Sequence, residues 1–223
     1  MKKIPFAILS IVALLPLACS VTVNSPKTIK GSGVLASETR PVSGFDAVEL
    51  ADSADVTVSF GDTESVVVEA EDNILPLIVT NVRGGKLVIN WKPNTSVSAT
   101  EPVRVTVTMK SLQAASLPGS GNITIAGLDA SSVNFNLGGS GNITADGAAD
   151  SVDVNFSGSG NILCGDLQAR SATVELTGSG NATVFATDSL DVTLKGSGNV
   201  FYRGDPAKVT QSVPGSGTIQ AAP

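Results

Sequence analysis

The sequence predicts an all-β fold, a single-stranded parallel β-helix of about 18–20 residues per coil in its C-terminal half. Three observations predict it. The tetrapeptide Gly-Ser-Gly-Asn begins at Gly119, Gly139, Gly158, Gly178 and Gly196, and a sixth copy at Gly215 ends in Thr218, so successive starts lie 20, 19, 20, 18 and 19 residues apart. Apolar residues alternate on both sides of each copy, as with Val133, Phe135 and Leu137 before Gly139 and Ile143 and Ala145 after it. The chain has 23 glycines and only 15% charged residues, a composition of strands and many turns.

Period two on each side of a glycine pair means two strands meeting at a tight bend. A near-20 period that tolerates one-residue slips is that of a solenoid whose slips are absorbed in turns. No inter-repeat segment shows apolar spacing of three and four, which excludes a helix per repeat. Coils stack about 4.8 Å apart, so one corner recurs once per turn, and six corners make about 29 Å of cylinder. Gly121, Gly141, Gly160, Gly180 and Gly198 are expected to take positive φ at the bend. Asn122, Asn142, Asn161, Asn181 and Asn199 are expected to form one column, a structural corner ladder of side-chain amides. Ser120, Ser140, Ser159, Ser179, Ser197 and Ser216 give a parallel column of hydroxyls.

From the N-terminus, residues 1–18 read as a signal peptide. Lys2 and Lys3 precede an apolar run from Ile4 to Leu17 that is too short to span a bilayer as a mature helix. Leu17-Ala18-Cys19-Ser20 resembles the end of a bacterial lipoprotein signal, with Cys19 as the lipid-attachment residue, although Pro16 stands where that pattern normally has Leu. Ordinary cleavage after Ser20 is the alternative. Ser20, rather than Asp, after the cysteine points by the same resemblance to the outer membrane. Each buried methylene of a palmitate-type chain contributes about 0.8 kcal/mol, so several chains anchor a protein stably.

Residues 19–40 hold the tether and a first strand. Residues 41–118 alternate in segments such as "DVTVSF" and "VRVTVTM", separated by Gly-Asp, Asp-Asn and Gly-Gly turns. They are expected to form less regular coils that start and cap the same β-helix. Within them Asn90–Arg104, polar with Pro93 and Pro102, reads as a protruding loop. Trp91 at its base reads as a strand-end anchor on the core rather than a binding aromatic. Residues 119–223 are the regular coils, and the last of them, near Ile219, leaves an edge open to another chain unless the terminal "QAAP" covers it.

Histidine is absent, which removes Ser-His-Asp and Cys-His nucleophile activation and His-based zinc sites. The 14 basic and 20 acidic residues give a net charge of −6 with no basic block after the extreme N-terminus, so nucleic acid is not an expected partner. Cys164 sits at an apolar-parity position and reads as a buried, inert thiol. Asp129, Asp146, Asp150, Asp166, Asp188 and Asp205 follow the corners at drifting register, as ordinary turn acids, and the nonapeptide of calcium β-rolls is missing. Asp153, Glu175, Asp191 and Lys195 stand at differing offsets from their corners, which argues against a shared catalytic site. No catalytic residue, metal or cofactor is expected.

The order "GFDAVELADSADVTVSFGDTESVVVEAEDNILPLIVTNVRGGKLVI", then "SLQAASLPGSGNI" and serial corners, resembles the bacterial exported β-helix family described as a putative autotransporter adhesin head, or GIN domain, over roughly Phe45 to Gly217. The resemblance implies the fold and an adhesive role, with no established ligand or catalytic residues to carry over. The expected function is a non-enzymatic, membrane-anchored envelope lipoprotein. Its partners would be the membrane, through the N-terminal lipid, and a glycan or cell-surface protein. A periplasmic scaffolding lipoprotein is the alternative, and a polysaccharide-active β-helix enzyme is a third reading.

Overall fold

The computed structural model describes residues 28–222. The signal peptide, Cys19 and Pro223 lie outside the described residues. The strands are β1 (Thr28–Lys30), β2 (Leu35–Arg40), β3 (Ala47–Leu50), β4 (Asp55–Phe60), β5 (Ser65–Glu71), β6 (Ile78–Arg83), β7 (Lys86–Trp91), β8 (Ser96–Ser98) and β9 (Arg104–Met109). They continue with β10 (Ala114–Leu117), β11 (Asn122–Leu137), β12 (Asn142–Phe156), β13 (Asn161–Leu176), β14 (Asn181–Phe185), β15 (Ser189–Leu194), β16 (Asn199–Arg203), β17 (Lys208–Ser212) and β18 (Ile219–Ala221). Among the described residues no helix is long and apolar enough to cross a membrane.

The C-terminal half is a parallel β-helix of about five turns. Each coil has a strand before the tight corner and a strand after it, and every neighbouring pair here is parallel, as with Val133 beside Val152 and Asn142 beside Asn161. The one-residue slips fall at the far bend. Asn122 pairs with Asn142, twenty residues on, whereas Ser132 pairs with Ser151, nineteen on, and the register shifts between Ile125 and Leu128. The corner therefore keeps its register while the opposite turn takes up the difference.

Alternation then fills the cylinder. Val133, Phe135 and Leu137 of one coil lie over Val152, Val154 and Phe156 of the next, and all six are buried. A Phe or Leu buried this way gains about 1.5–3 kcal/mol relative to exposure.

The N-terminal half does not stack in chain order. Strands β3 and β4 form the coil that continues into β10 and the first part of β11, but the coil beneath them is built from β7 and β9, which come later in sequence. Beneath β7 and β9 the parallel pairing stops, because β6 runs antiparallel to β7 and β5 antiparallel to β9, with β2 antiparallel to β5 beyond it. Reversed strands close this end of the cylinder over Val66, Val68, Ala70 and Ile74. The other end differs: Val209 and Val213 of the last coil are 39% and 45% exposed.

One expectation fails at the corners. Gly121, Gly141, Gly160, Gly180 and Gly198 are not among the positive-φ glycines, which include Gly127, Gly147 and Gly204 at the far bends. The corner needs glycine for space instead of handedness. A Cβ on Gly141 would land on the carbonyl oxygen of Gly121 one coil below, and a Cβ on Gly139 on that of Gly119. Backbone packs directly on backbone there, which only glycine permits.

Candidate functional site

The corner column is a continuous hydrogen-bond stack. From Ser140 onward each corner serine donates its backbone N–H to the glycine carbonyl of the coil below, as in Ser140 to Gly119 at 3.1 Å and Ser159 to Gly139 at 3.0 Å, while Ser120 donates to the Asp52 carbonyl at 3.2 Å. The amides run the same way: Asn142 Nδ2 donates to Asn122 Oδ1 at 2.9 Å, Asn161 to Asn142 at 2.9 Å, Asn181 to Asn161 at 3.4 Å and Asn199 to Asn181 at 3.0 Å. Half-buried amides consumed in this way are poor ligand donors. The serine side chains beside them stay exposed.

Two residues end this stack: Thr218, which replaces Asn in the sixth copy, and Asp55, which sequence reading missed. Asn122 Nδ2 donates downward to Asp55 Oδ1 at 2.8 Å, and at the other end Thr218 Oγ1 donates to Asn199 Oδ1 at 2.8 Å. A carboxylate is a well-placed terminus for a row of amides all donating toward it. The signal was available: Asp52-Ser53-Ala54-Asp55-Val56-Thr57 occupies the place of Gly119-Ser120-Gly121-Asn122-Ile123-Thr124, a degenerate copy of the corner.

Side chains are allowed at Asp52 and Ala54 because no tight corner lies beneath them. All regular corners up to β16 use four residues, such as 118–121 between β10 and β11. Between β7 and β9, directly below, the chain instead takes residues 92–103, twelve residues. Sequence reading made this segment a protruding loop. The structure corrects that in part, since Ser96–Ser98 is strand β8, paired in parallel with β1.

A buried carboxylate clamps the inserted segment. Glu71, 1% exposed, accepts the Gly33 N–H at 2.7 Å, the Thr100 N–H at 3.0 Å and the Thr100 hydroxyl at 2.5 Å. The Thr100 hydroxyl bond, with the backbone donors behind it, holds the Glu71 carboxyl below the ordinary carboxylate range despite burial. Gly31 is required opposite it, because a Cβ there would overlap the Glu71 carboxylate.

Between the clamped segment and the corners at 52–55 and 120–122 lies an open groove of about 670 Å³. Trp91, the last residue of β7, lines it, half-buried and packed against the core on its other side. The backbone N–H of Trp91 donates to Asp52 Oδ2 at 2.7 Å. Asp52, Asp55 and Glu101 line the groove without a lysine or arginine among its lining residues.

The remaining predicted residues scatter. Asp153 and Asp191 do share an offset, since both pair in register with Thr173, which puts them in one outward column two coils apart. The sequence reading of differing offsets is wrong for that pair. Glu175 and Lys195 are joined to each other at 2.5 Å across neighbouring coils. The turn acids have separate local uses: Asp146 Oδ1 accepts the Gly127 N–H at 2.7 Å, while Asp188 and Asp166 pair with Arg170 and Arg203, each at 3.2 Å. No three His, Cys, Asp or Glu side chains converge among the described residues. Cys164 is buried, and burial pushes its thiol up to about 12. It is protonated at neutral pH and a poor nucleophile.

The comparisons with known proteins agree on the fold. A putative adhesin from Bacteroides fragilis superposes with a TM-score of 0.74 at 23% identity, covering 87% of this chain and 100% of that one. A putative lipid binding protein from Parabacteroides distasonis gives 0.54 at 26% identity, and a putative adhesin from the same species 0.54 at 24%, each covering 88% of this chain and 100% of the other. No curated protein matches the chain. The family model described as "Putative auto-transporter adhesin, head GIN domain" matches residues 44–206, and the chain belongs to that family.

Proposed function

We propose that the protein is a non-enzymatic, lipid-anchored binding module of the cell envelope, held to the outer membrane through Cys19 and presenting its β-helix to a partner at the cell surface. The observation that carries this reading is an extended, regularly stacked strand surface. On the strand face before the corner, Ser116, Asn136 and Asn155 stand in register, flanked by the ion pairs Lys86–Glu49 and Lys195–Glu175. Solenoids bind through such extended surfaces. Catalysis on a sugar chain calls for two carboxyl groups set across a bond about 5–10 Å apart within a cleft. Here Glu175 is neutralised by Lys195, and Asp153 and Asp191 flank Thr173 on an open strand face.

The test is protease shaving of intact cells, with a periplasmic protein as leakage control. Full-length protein should disappear while the control survives, and Cys19→Ala should release the protein from the membrane fraction and abolish palmitate incorporation. Protection until the outer membrane is broken would replace surface binding with a periplasmic scaffold.

A further inference from the structure

The geometry points to the groove between residues 92–103 and the corners at 52–55 and 120–122 as a binding site for an uncharged, hydroxyl-rich saccharide segment. The groove is then the site of the binding module proposed above, and this assignment rests on that reading. Its first support is where the repeat breaks. Four residues suffice to turn the corner at 51–54 and at 118–121, yet the coil beneath spends twelve, 92–103, to cross the same place. In solenoids, insertions of this kind gather on one face, which is often the binding face. The added length is held rather than loose: β8 pairs with β1, and Thr100 is tied to the buried Glu71. A wall fixed before the ligand arrives reduces the ordering cost of binding.

The second support is the chemistry of the lining. Trp91 offers an aromatic surface backed by the core and an indole N–H donor. Asp52 and Asp55 each use one carboxylate oxygen internally, on the Trp91 N–H and the Asn122 amide, which leaves the other oxygen to accept from a ligand hydroxyl. Ser53, Thr95 and Ser120 add hydroxyls that both donate and accept. Sugar hydroxyls need donors and acceptors together with an apolar face, and this groove has all three. A cationic peptide would need only the acceptors. The carboxylates, with no basic residue among the lining, turn away uronic acids and phosphates.

Trp91 is the only tryptophan, so its emission reports on the groove directly. Purified protein is titrated with cellohexaose, N-acetylated chitohexaose, hexagalacturonate and hexalysine, following emission and, in parallel, heat of binding. A saturable response to at least one uncharged hexasaccharide and none to hexagalacturonate is expected. Ser53→Arg, at an exposed position, should weaken that binding by about tenfold or more while leaving the melting temperature unchanged. Silence of both neutral sugars in both readouts up to about 10 mM, tighter binding of hexalysine, or unchanged affinity of Ser53→Arg would each overturn the assignment. Shaving separates this failure from that of the binding-module reading: a surface-exposed protein whose groove is silent binds its partner elsewhere, whereas a periplasmic protein whose groove responds binds sugar without being an adhesin.

Discussion

Two corners of one column, Gly139–Asn142 and Asp52–Asp55, do the same work with different residues because they stand on different floors. Beneath the first lies another tight corner, whose carbonyl oxygens fill the space a Cβ would need, so both turn positions are glycine. Beneath the second lies the detour through 92–103, and the equivalent positions carry Asp52 and Ala54. The corner glycines thus record what is stacked below them and not the handedness of the turn. Where the stack opens, side chains return, and with them the lining of the groove.

The comparison breaks most visibly at the glycines themselves. Gly141→Ala should cost at least about 3 kcal/mol, because two coils must separate to admit one methyl group. Ala54→Gly, the reverse change at the corner with no floor, should cost no more than about 1 kcal/mol, the entropy of the freer unfolded chain. Urea denaturation of both variants measures the difference. Equal effects would mean that coil stacking does not set the choice of residue.

A smaller effect is expected along the ladder. Asn161 both donates to Asn142 and accepts from Asn181, so Asn161→Ala leaves two half-buried partners short and should cost about 1–3 kcal/mol. The cost should shrink for Thr218→Ala at the end of the row, where water can replace the lost bond. Comparing the two midpoints of denaturation shows whether the interior of the ladder is worth more than its end.

What was legible in the sequence follows the same division. The 20, 19, 20, 18 and 19 spacing and the flanking alternation specify the regular coils, since identical neighbours impose identical residues. The amides at Asn122 to Asn199 could be placed in one column because every coil keeps its register at the corner. The order of the first coils could not be read. That β7 and β9 slip beneath β3 and β4 depends on pairings between residues 39 and 49 apart in the chain, which no local pattern encodes. The groove stayed hidden for a related reason: Asp52, Trp91 and Ser120 meet only once those coils are stacked, and Trp91 by itself reads as core. Glu71 sits among other acids in "VEAED", and nothing nearby in the chain marks it as buried.

Glu71 gives the finest test of the difference between the two regions, because it holds the detour and residues 31–33 and touches none of the regular coils. Folding lowers its pKa below the ordinary 4.5, so its contribution is present in full above that value and is lost as pH falls through the lower folded value. Glu69, Asp72 and Glu101 carry further negative charge on the segments it joins, and the described regular coils contain no buried carboxylate. Acidification through that lowered value should therefore loosen residues 92–103 before the β-helix unfolds. Glu71→Gln should reproduce the loosening at neutral pH, since an amide offers one acceptor oxygen where the carboxylate offers two to Gly33 and Thr100. Hydrogen exchange resolves it by residue: the Gly33 and Thr100 amides should exchange about tenfold faster or more in the variant, while those of Val152 and Val174 in the stacked coils keep their wild-type rates. Equal acceleration everywhere would make Glu71 part of one cooperative unit with the regular coils, and the detour would then be no more separable than any other corner.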